Sequence, residues 1–251
     1  MKLYSFYTQS HRILKEEWFL NSLKDDYELI IEEYDQIVDR GDFMAEGWLK
    51  LMSKKIDLIM RAIKENDGEI FIVSDVDIQF FRPTKEAILK LIGNNDLLIQ
   101  RDSPDGILCL GFFALRANSR TLALWQDISK LLGQDAHKHE QDILNDLMFT
   151  GANKICSLAH HITRITGKCF GINNQLLVIT GPLIDNPYRV KWGYLPKEFF
   201  GGGTLTGKLW SPGMSLPIPK NIILHHANWT IGVENKIAQL KYVRGVVEKQ
   251  C

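Results

Sequence analysis

Apolar and polar residues alternate along the chain with periods that change from strand-like to helical and back. Apolar runs at 3–7 and 27–34 are of strand length, and a helix is predicted between them at 11–23. From Met44 to Ile63, apolar residues recur every three or four positions, which is the spacing of one face of an α-helix. The chain therefore begins as strand, helix, strand, helix.

The most apolar run, at 69–73, reads Glu-Ile-Phe-Ile-Val. Consecutive apolar residues indicate that both faces of this strand are buried, which is typical of a central strand covered by helices. The alternation continues to about residue 149 and resumes near the C-terminus. The remaining predicted elements are a helix from Pro83 to about Ile92, strands at 97–100 and 107–115, helices at 120–132 and 140–149, a strand at 222–224 and a helix at 233–247.

The order of these elements predicts an α/β fold with a mainly parallel, doubly wound central sheet flanked by helices. The pattern breaks at 186–219, where proline and glycine are concentrated. Trp192 and Trp210 give this segment apolar surface to bury, so we expect an irregular functional region and not a linker. Each tryptophan is a candidate platform for an acceptor, with ordinary packing as the alternative.

The composition is that of an ordinary globular protein, with 45% hydrophobic and 24% charged residues among 251. Thirty basic residues balance thirty acidic ones, so no nucleic acid is expected as a partner. No run of 18 apolar residues occurs, which argues against a transmembrane segment. Because the N-terminus lacks a signal-peptide pattern, we expect a cytoplasmic protein, with peripheral membrane association left open.

The four cysteines form no CxxC pair, and their spacings are irregular. This pattern is typical of a reduced, intracellular protein. Cys156, His160, His161 and Cys169 are close enough in sequence to suggest a metal site. Buried thiols and ordinary histidines are the favoured explanation of that group.

The candidate chemistry begins directly after the predicted central strand. Asp75 and Asp77 stand two residues apart at its carboxyl end, where open α/β sheets bind their ligands. Two such carboxylates repel each other unless a cation neutralises them, and oxygen ligands suit Mn²⁺ or Mg²⁺. The pair therefore predicts a divalent-metal site for a diphosphate, with solvated turn aspartates as the alternative.

Three further features carry suitable chemistry. His225 and His226 follow the last predicted strand and can add a nitrogen ligand, although a structural role is the more common one for such a pair; Lys236 can neutralise phosphate. The block Glu140–Asn145 starts a helix, where acidic residues also serve as ordinary caps. Lys55 lies inside an apolar helical stripe, where a lysine either extends to solvent or meets an anion.

Together these residues resemble the GT-A glycosyltransferases. The run Ser74–Ile78, the block Glu140–Asn145 and the ending His226–Trp229 are similar to nucleotide-diphospho-sugar transferases, a group that includes plant arabinosyl- and xylosyltransferases. The block, which reads EQDILN, is also similar to a DQDILN segment of bacterial retaining galactosyltransferases. Glu140 replaces the usual Asp, and Cys109–Gly111 stands where relatives often carry Asn or Ser before the Gly, so sugar specificity stays open.

The resemblance implies one GT-A domain over residues 1–251. Its first half, 1–115, would bind the nucleotide-sugar, and its second half, 116–251, would form an irregular acceptor side. The C-terminal strand and helix of the second half would close the metal site.

The resemblance also implies a role for each matching residue. Asp75, Asp77 and His226 would hold Mn²⁺ or Mg²⁺, and His225 would not. The other implied roles are Tyr7 and Thr8 bordering the base, Lys55 facing the nucleotide, Val76 and Asp75 contacting the donor, Gly232 and Lys236 holding the diphosphate, and Gln141, Glu140 and Asp77 serving catalysis.

The implied reaction is metal-dependent transfer of a sugar from a nucleotide-diphosphate donor to a glycan or glycoconjugate acceptor. A UDP-sugar is the favoured donor, and the match at Gln141 favours retention of the anomeric configuration. Two other functions stay open. A haloacid-dehalogenase-type phosphatase uses DxD with the first aspartate as nucleophile, although near its N-terminus; a binding protein would hold the nucleotide-sugar or glycan without turnover.

Overall fold

A computed structural model describes most of the chain. The predicted irregular region is described only in part, and the possible metal group Cys156, His160, His161 and Cys169 lies outside the described residues. The described residues are 1–38, 45–102, 106–135, 138–149, 186–201 and 208–250.

The strands fall into a large and a small sheet. The strands of the large sheet are β1 (Lys2–Thr8), β2 (Glu28–Tyr34), β3 (Ile70–Ser74), β5 (Leu97–Arg101), β6 (Leu108–Arg116) and β7 (Trp192–Tyr194). Those of the small sheet are β4 (Ile78–Phe80), β8 (Phe199–Gly201) and β9 (Leu224–His226). The order is β2-β1-β3-β6-β5-β7 in the large sheet and β4-β9-β8 in the small one.

The large sheet is mainly parallel, as the sequence predicts. Every strand runs in the same direction except β6, which is antiparallel to both of its neighbours. The sequence pattern does not indicate this reversal. Its physical reason is the short connection between Arg101 and Leu108, because a parallel crossover requires about a dozen residues or more.

Helical segments cover both faces of the large sheet. Segment 9–20 combines a 3-10 turn (Gln9–His11) with a helical stretch of π type (Leu14–Leu20), where an ordinary helix was predicted. The regular helices are α1 (Trp48–Glu65), α2 (Lys85–Ile92), α3 (Ser119–Leu131), α4 (Glu140–Met148) and α5 (Val233–Glu248). Within the described ranges, no helix combines the length and the apolar character needed to cross a bilayer.

The central strand β3 contributes to two separate cores. Phe71 and Val73 pack with residues of α1, α3 and α4, whereas Ile72 packs with residues of the π-type segment and α2. Alternate side chains of a strand point to opposite faces, so a strand that is apolar throughout needs cover on both. The prediction that β3 is buried on both faces is therefore correct.

Two expectations for the C-terminal part are corrected. The predicted strand at 222–224 is observed two residues later, because β9 takes its register from β4 and includes both histidines. Trp192 and Trp210 are only 1% and 5% exposed, so both are packing residues and neither is an acceptor platform. Three-residue strands β4, β7 and β8 were not predicted, since they are too short to show a period.

Candidate active site

The two predicted aspartates lie in the turn between β3 and β4. The backbone amide of Asp75 donates to the carbonyl of Gly111 in β6 (2.7 Å), and the carbonyl of Asp77 accepts from the amide of Ala227 (2.9 Å). The turn is thus fastened to the central sheet on one side and to the residue after β9 on the other. Asp75 is partly exposed, and Asp77 is buried.

The register between β4 and β9 brings the C-terminal histidine to this turn. Ile78 pairs with His226, so the imidazole lies next to Asp77. One ligand atom from each of Asp75, Asp77 and His226 lies within 4.8 Å of the other two. Two motifs from distant parts of the chain therefore converge on one point.

Each aspartate is ion-paired with its own lysine. The Nζ atom of Lys55 lies 2.6 Å from Asp75 Oδ1 and also donates to the carbonyl of Leu110 (3.0 Å). Lys236 is paired with Asp77 Oδ2. Lys55 is 3% exposed, so it does not extend to solvent from the apolar face of α1.

These pairs keep the site charged in spite of its burial. Burial alone would raise the pKa of Asp77, but the opposing effects, of which the charge of Lys236 is the largest, hold that pKa well below its usual value. For Lys55, burial lowers the pKa, while Asp75 and Glu140 raise it, with a net rise. Asp77 and Lys55 are therefore charged near neutral pH.

One carboxylate oxygen of the site has no hydrogen-bond partner among the described residues. Asp77 Oδ1 is buried without a donor of suitable geometry, and the Nε2 atom of His226 lies 3.3 Å from it. A buried anionic oxygen without a donor is costly unless a cation neutralises it. Two carboxylates and one imidazole are a donor set that fits Mn²⁺, so the residues present are suited to the predicted metal.

A glycine makes room for the imidazole. A Cβ atom on Gly111 would lie 2.5 Å from Nδ1 and 2.7 Å from Nε2 of His226, distances that real side chains do not tolerate. Cys109, two residues earlier, places its sulfur 3.7 Å from the same Nδ1 atom. Burial, with Asp102 adding to it, raises the pKa of the Cys109 thiol well above its usual value, so Cys109 is a neutral packing group.

The block at the start of α4 lies against the same part of β6. Gln141 Oε1 accepts from the amide of Leu110 (3.0 Å), and Asn145 both accepts from the amide of Leu108 (2.9 Å) and donates to its carbonyl (3.1 Å). Residues of β6 before Phe112 extend beyond the end of β3. The two amide side chains thus take the place of a neighbouring strand.

Glu140 is buried beside this block, and no residue in the described part of the chain forms a hydrogen bond with its Oε2 atom. Burial raises the pKa of Glu140, and the charge of Lys55 partly opposes that rise. Capping at this helix falls to His139 and Asp142: His139 Nδ1 accepts from the backbone amide of Gln141 (3.3 Å), and the Asp142 side chain accepts from the backbone amide of His139 (3.2 Å). Glu140 therefore is not the capping residue that its position suggested.

The remaining residues that were predicted to contact the nucleotide-sugar lie at the same edge of the sheet. Tyr7 and Thr8 end β1 beyond its pairing with β3, but both side chains are buried, and the Tyr7 hydroxyl donates to Glu33 (2.8 Å). The side chain of Val76 is buried in the core between β3 and the π-type segment. Gly232 precedes α5 with a φ of +85°, a conformation that glycine adopts without strain.

Two residues near the end of β5 were not recognised from the sequence. Gln100 Oε1 lies 3.1 Å from His226 Nδ1. Asp102 accepts from the side-chain amide of Asn228 and from the indole of Trp229, each at 2.9 Å. The sequence relates the two residues only by their spacing of two at the end of β5, since alternate residues of an extended chain point to the same face. Neither residue belongs to a recognisable motif.

A cavity of about 1020 Å³ lies elsewhere. It is bounded by the π-type segment, β4 and the end of α5, and its lining includes Lys24, Arg82, Lys220 and Arg244. None of the predicted site residues lines it. The aspartate–histidine cluster is favoured as the chemical site on its charge and its unpartnered oxygen, not on cavity size.

Comparisons with known proteins agree with this geometry. A family model described as nucleotide-diphospho-sugar transferase matches residues 10–240. The fold is similar to that of a glycosyltransferase involved in the glycosylation of the major capsid of PBCV-1, with a TM-score of 0.52, 10% identity, and 98% of this chain and 100% of that chain covered. A search of curated protein sequences gives no match. The structural likeness shows the fold alone, whereas the family match spans most of the chain: the chain belongs to the nucleotide-diphospho-sugar transferase family and is a glycosyltransferase.

Proposed function

We propose that the protein transfers a sugar from a nucleotide-diphosphate donor, with a UDP-sugar favoured, to a glycan or glycoconjugate acceptor, in a reaction that depends on Mn²⁺ or Mg²⁺. The observation that supports metal dependence is the convergence of Asp75, Asp77 and His226 around a buried oxygen that lacks a partner. Three ligands of this kind leave further coordination positions for the oxygens of a diphosphate.

The leaving diphosphate needs its developing charge neutralised. A divalent ion between these ligands would supply Lewis-acid stabilisation of that charge. Lys55 and Lys236 lie against the same carboxylates, so their amines are within reach of phosphate oxygens bound there. Gly232 starts α5 at this place, and a helix N-terminus favours anions.

Both parts of the chain contribute to the proposed donor site. Residues 1–115 supply the aspartate pair together with Tyr7, Thr8 and Val76, which we assign to the border of the nucleotide. Since these three side chains are buried, their backbone and exposed edges would make the contacts. Residues 116–251 supply His226 and Lys236 and would close the site.

We assign Gln141 to the neighbourhood of the reacting carbon and Glu140, with Asp77, to the orientation of the donor sugar. An inverting reaction requires a carboxylate base that faces the acceptor hydroxyl. Glu140 is buried and interacts electrostatically with Lys55, which supports an orienting role and therefore retention. Proton NMR of the fresh product tests this assignment, because a product anomer opposite to that of the donor would contradict it.

The test of the function is donor turnover. We expect release of nucleoside diphosphate and sugar transfer with a UDP- or GDP-sugar and Mn²⁺, and neither with excess chelator. A CMP-sugar, which contains no diphosphate, is the control donor. Family membership gives no support to the phosphatase and binding-protein alternatives, and the same assay separates them, since neither would move the sugar to an acceptor.

Asp77→Asn removes one charge from the proposed metal site and should lower transfer at least about 100-fold, the effect of losing one strong transition-state contact. Asp57→Asn on the exposed face of α1 is the matched control and should leave transfer unchanged. Circular dichroism verifies that both variants are folded. Undiminished transfer by Asp77→Asn in the presence of chelator would refute the proposed metal dependence.

A further inference from the structure

The adjacent histidines of β9 have matching but opposite surroundings. His225 and His226 point to opposite faces of the small sheet, as successive strand residues do. A buried glutamine lies 3.1 Å from the Nδ1 atom of each ring: Gln79 for His225 and Gln100 for His226. The two glutamines present different ends of their amides to the two rings.

The orientation of Gln100 follows from its other contact. Its Nε2 atom donates to the carbonyl of Phe199 (3.0 Å), and a carbonyl can only accept. The Oε1 atom of Gln100 therefore faces His226, and because an amide oxygen also only accepts, the proton of the neutral ring must be on Nδ1. The Nε2 atom of His226 then carries no proton, and its lone pair is directed at Asp77.

The orientation of Gln79 is the reverse. Its Nε2 atom donates to the carbonyl of Leu240 (2.9 Å) and faces His225 Nδ1, while its Oε1 atom accepts from Arg244 Nε (3.3 Å). The Nδ1 atom of His225 is therefore an acceptor, and the proton is on Nε2. That proton is donated to Gln239 Oε1 (3.2 Å).

We infer that Gln100 is a positioning residue that holds His226 in the Nδ1–H tautomer, so that Nε2 is free to bind a divalent metal. This inference rests on the proposed function. A metal-binding imidazole uses the nitrogen opposite to the one that carries its proton, and the partner of that proton fixes the ring. Gln79 holds His225 in the other tautomer, so β9 offers one ligand and not two.

Gln100 is needed because the surroundings of Nε2 favour the wrong tautomer. Asp77 Oδ1, only 3.3 Å away, would accept a proton-bearing Nε2 as a hydrogen-bond donor. In that tautomer the histidine and the aspartate would satisfy each other, and neither atom would be open to the metal. The acceptor at Nδ1 opposes this arrangement.

Nitrogen-15 NMR of histidine-labelled, metal-free protein tests the tautomers directly, under alkaline conditions that keep imidazoles neutral. Comparison with His226→Gln identifies the His226 resonances. We expect Nδ1–H for His226 in the wild-type protein and in Gln79→Leu, and a shift towards Nε2–H in Gln100→Leu. The control Gln79→Leu removes an equally buried glutamine that contacts the neighbouring histidine.

Calorimetric titration with Mn²⁺ alone measures the consequence. Gln100→Leu should weaken Mn²⁺ binding about 10- to 100-fold, as loss of a partner to a metal ligand typically does, whereas Gln79→Leu should bind as the wild type does. Gln100→Glu keeps an acceptor at Nδ1 and should retain most of the affinity, while the loss of the donor to the Phe199 carbonyl should lower stability. It also provides the comparison if Gln100→Leu does not fold.

Several results would overturn the inference. These are an Nε2–H tautomer of His226 in the wild-type protein, an unchanged tautomer in Gln100→Leu, and equal loss of Mn²⁺ affinity in Gln79→Leu and Gln100→Leu. Failure of the proposed function has a different signature, since the wild-type protein would then bind no Mn²⁺ while its tautomers still responded to Gln100.

Discussion

At the scale of single residues, the absence of a side chain matters as much as the presence of the ligands. Gly111 lies against the imidazole of His226, and the strand that carries Gly111 also holds the turn of Asp75 through a backbone hydrogen bond. A methyl group at this position would clash with the His226 ring, and the backbone cannot move away because it is held by sheet pairing. The position of His226 therefore depends on this glycine.

Gly111→Ala should displace the imidazole, lower Mn²⁺ affinity at least tenfold and reduce the free energy of unfolding by about 1–3 kcal/mol, the usual cost of overpacking. Calorimetric Mn²⁺ titration and denaturant unfolding measure the two effects.

Gly245→Ala in α5 is the matched control, since no atom lies within 4 Å of its added methyl group. It should leave Mn²⁺ affinity unchanged and raise stability by about 0.5–1 kcal/mol, because alanine favours a helix interior. Wild-type Mn²⁺ affinity in Gly111→Ala would contradict the prediction, because it would show that His226 can still bind the metal with a methyl group at position 111.

The sequence indicates some site residues and conceals others. The DxD pair and His226 stand in recognisable motifs, and the structure places them together. Gln100 has no such signal, because its contact with His226 crosses from one sheet to the other. Gly111 belongs to the segment 109–111 of the family resemblance, but its contact with His226 is not indicated by the sequence. Such roles are defined by tertiary contacts and not by local pattern.

At the scale of elements, a buried aspartate joins three of them. Asp96, just before β5, accepts from Arg120 (2.6 Å) and Asn118 (2.8 Å) at the start of α3 and from the amide of Lys191 (2.9 Å) before β7. Burial alone would raise the pKa of Asp96, but these donors outweigh it and hold the pKa below its usual value. The ionised form is therefore bound more strongly by the folded chain.

Asp96→Asn should lower the free energy of unfolding by about 1–3 kcal/mol at neutral pH. Because the folded-state pKa is below the unfolded value of about 3.9, the contribution is complete above about pH 4 and is lost as the pH falls through the folded-state pKa. Denaturant unfolding of both proteins between neutral and acidic pH measures the difference.

The exposed Asp26, paired with Lys85, provides the control, and Asp26→Asn should leave stability unchanged within error. A difference between wild type and Asp96→Asn that stays constant as the pH falls would contradict the assignment of the effect to the carboxylate charge.

Elements were predictable where the pattern is local. Strand β3 is a continuous apolar run and helix α1 shows a clear helical period, and both lie near their predicted positions. Strands β4 and β9 have three residues each, and they form because Ile78 meets His226 across the fold. The reversed direction of β6 follows from the length of a connection, which apolar periodicity does not report.

At the scale of the whole molecule, the proposed donor site joins the turn after β3 to the start of α5. A nucleoside diphosphate bound there with Mn²⁺ would contact both parts, so ligand binding should stabilise the entire domain. Lys236 is central to this linkage because it lies on α5 and is paired with Asp77 of the turn.

UDP with Mn²⁺ at about 100 times the dissociation constant should add about 2.7 kcal/mol of stability and raise Tm by roughly 5–10 °C. Lys236→Ala should remove about 1–3 kcal/mol of the diphosphate affinity, and with it between about a third and nearly all of this shift, while leaving the weak effect of uridine unchanged. Thermal unfolding monitored by fluorescence measures these shifts.

The exposed Lys241 on the same helix is the control, and Lys241→Ala should shift as the wild type does. Equal shifts for UDP in Lys236→Ala and in the wild-type protein would show that α5 does not contact the diphosphate.

The pairing of β4 with β9 has a consequence for synthesis of the chain on the ribosome. Roughly 150 residues separate the two strands, which takes on the order of 10–30 s to translate at about 5–20 residues per second. During that interval the nascent chain can fold its N-terminal strands and helices, but Asp77 has neither His226 nor Lys236 beside it. If the donor binds at the proposed site, a partly made chain cannot hold it, and binding becomes possible only after β9 has emerged and paired with β4.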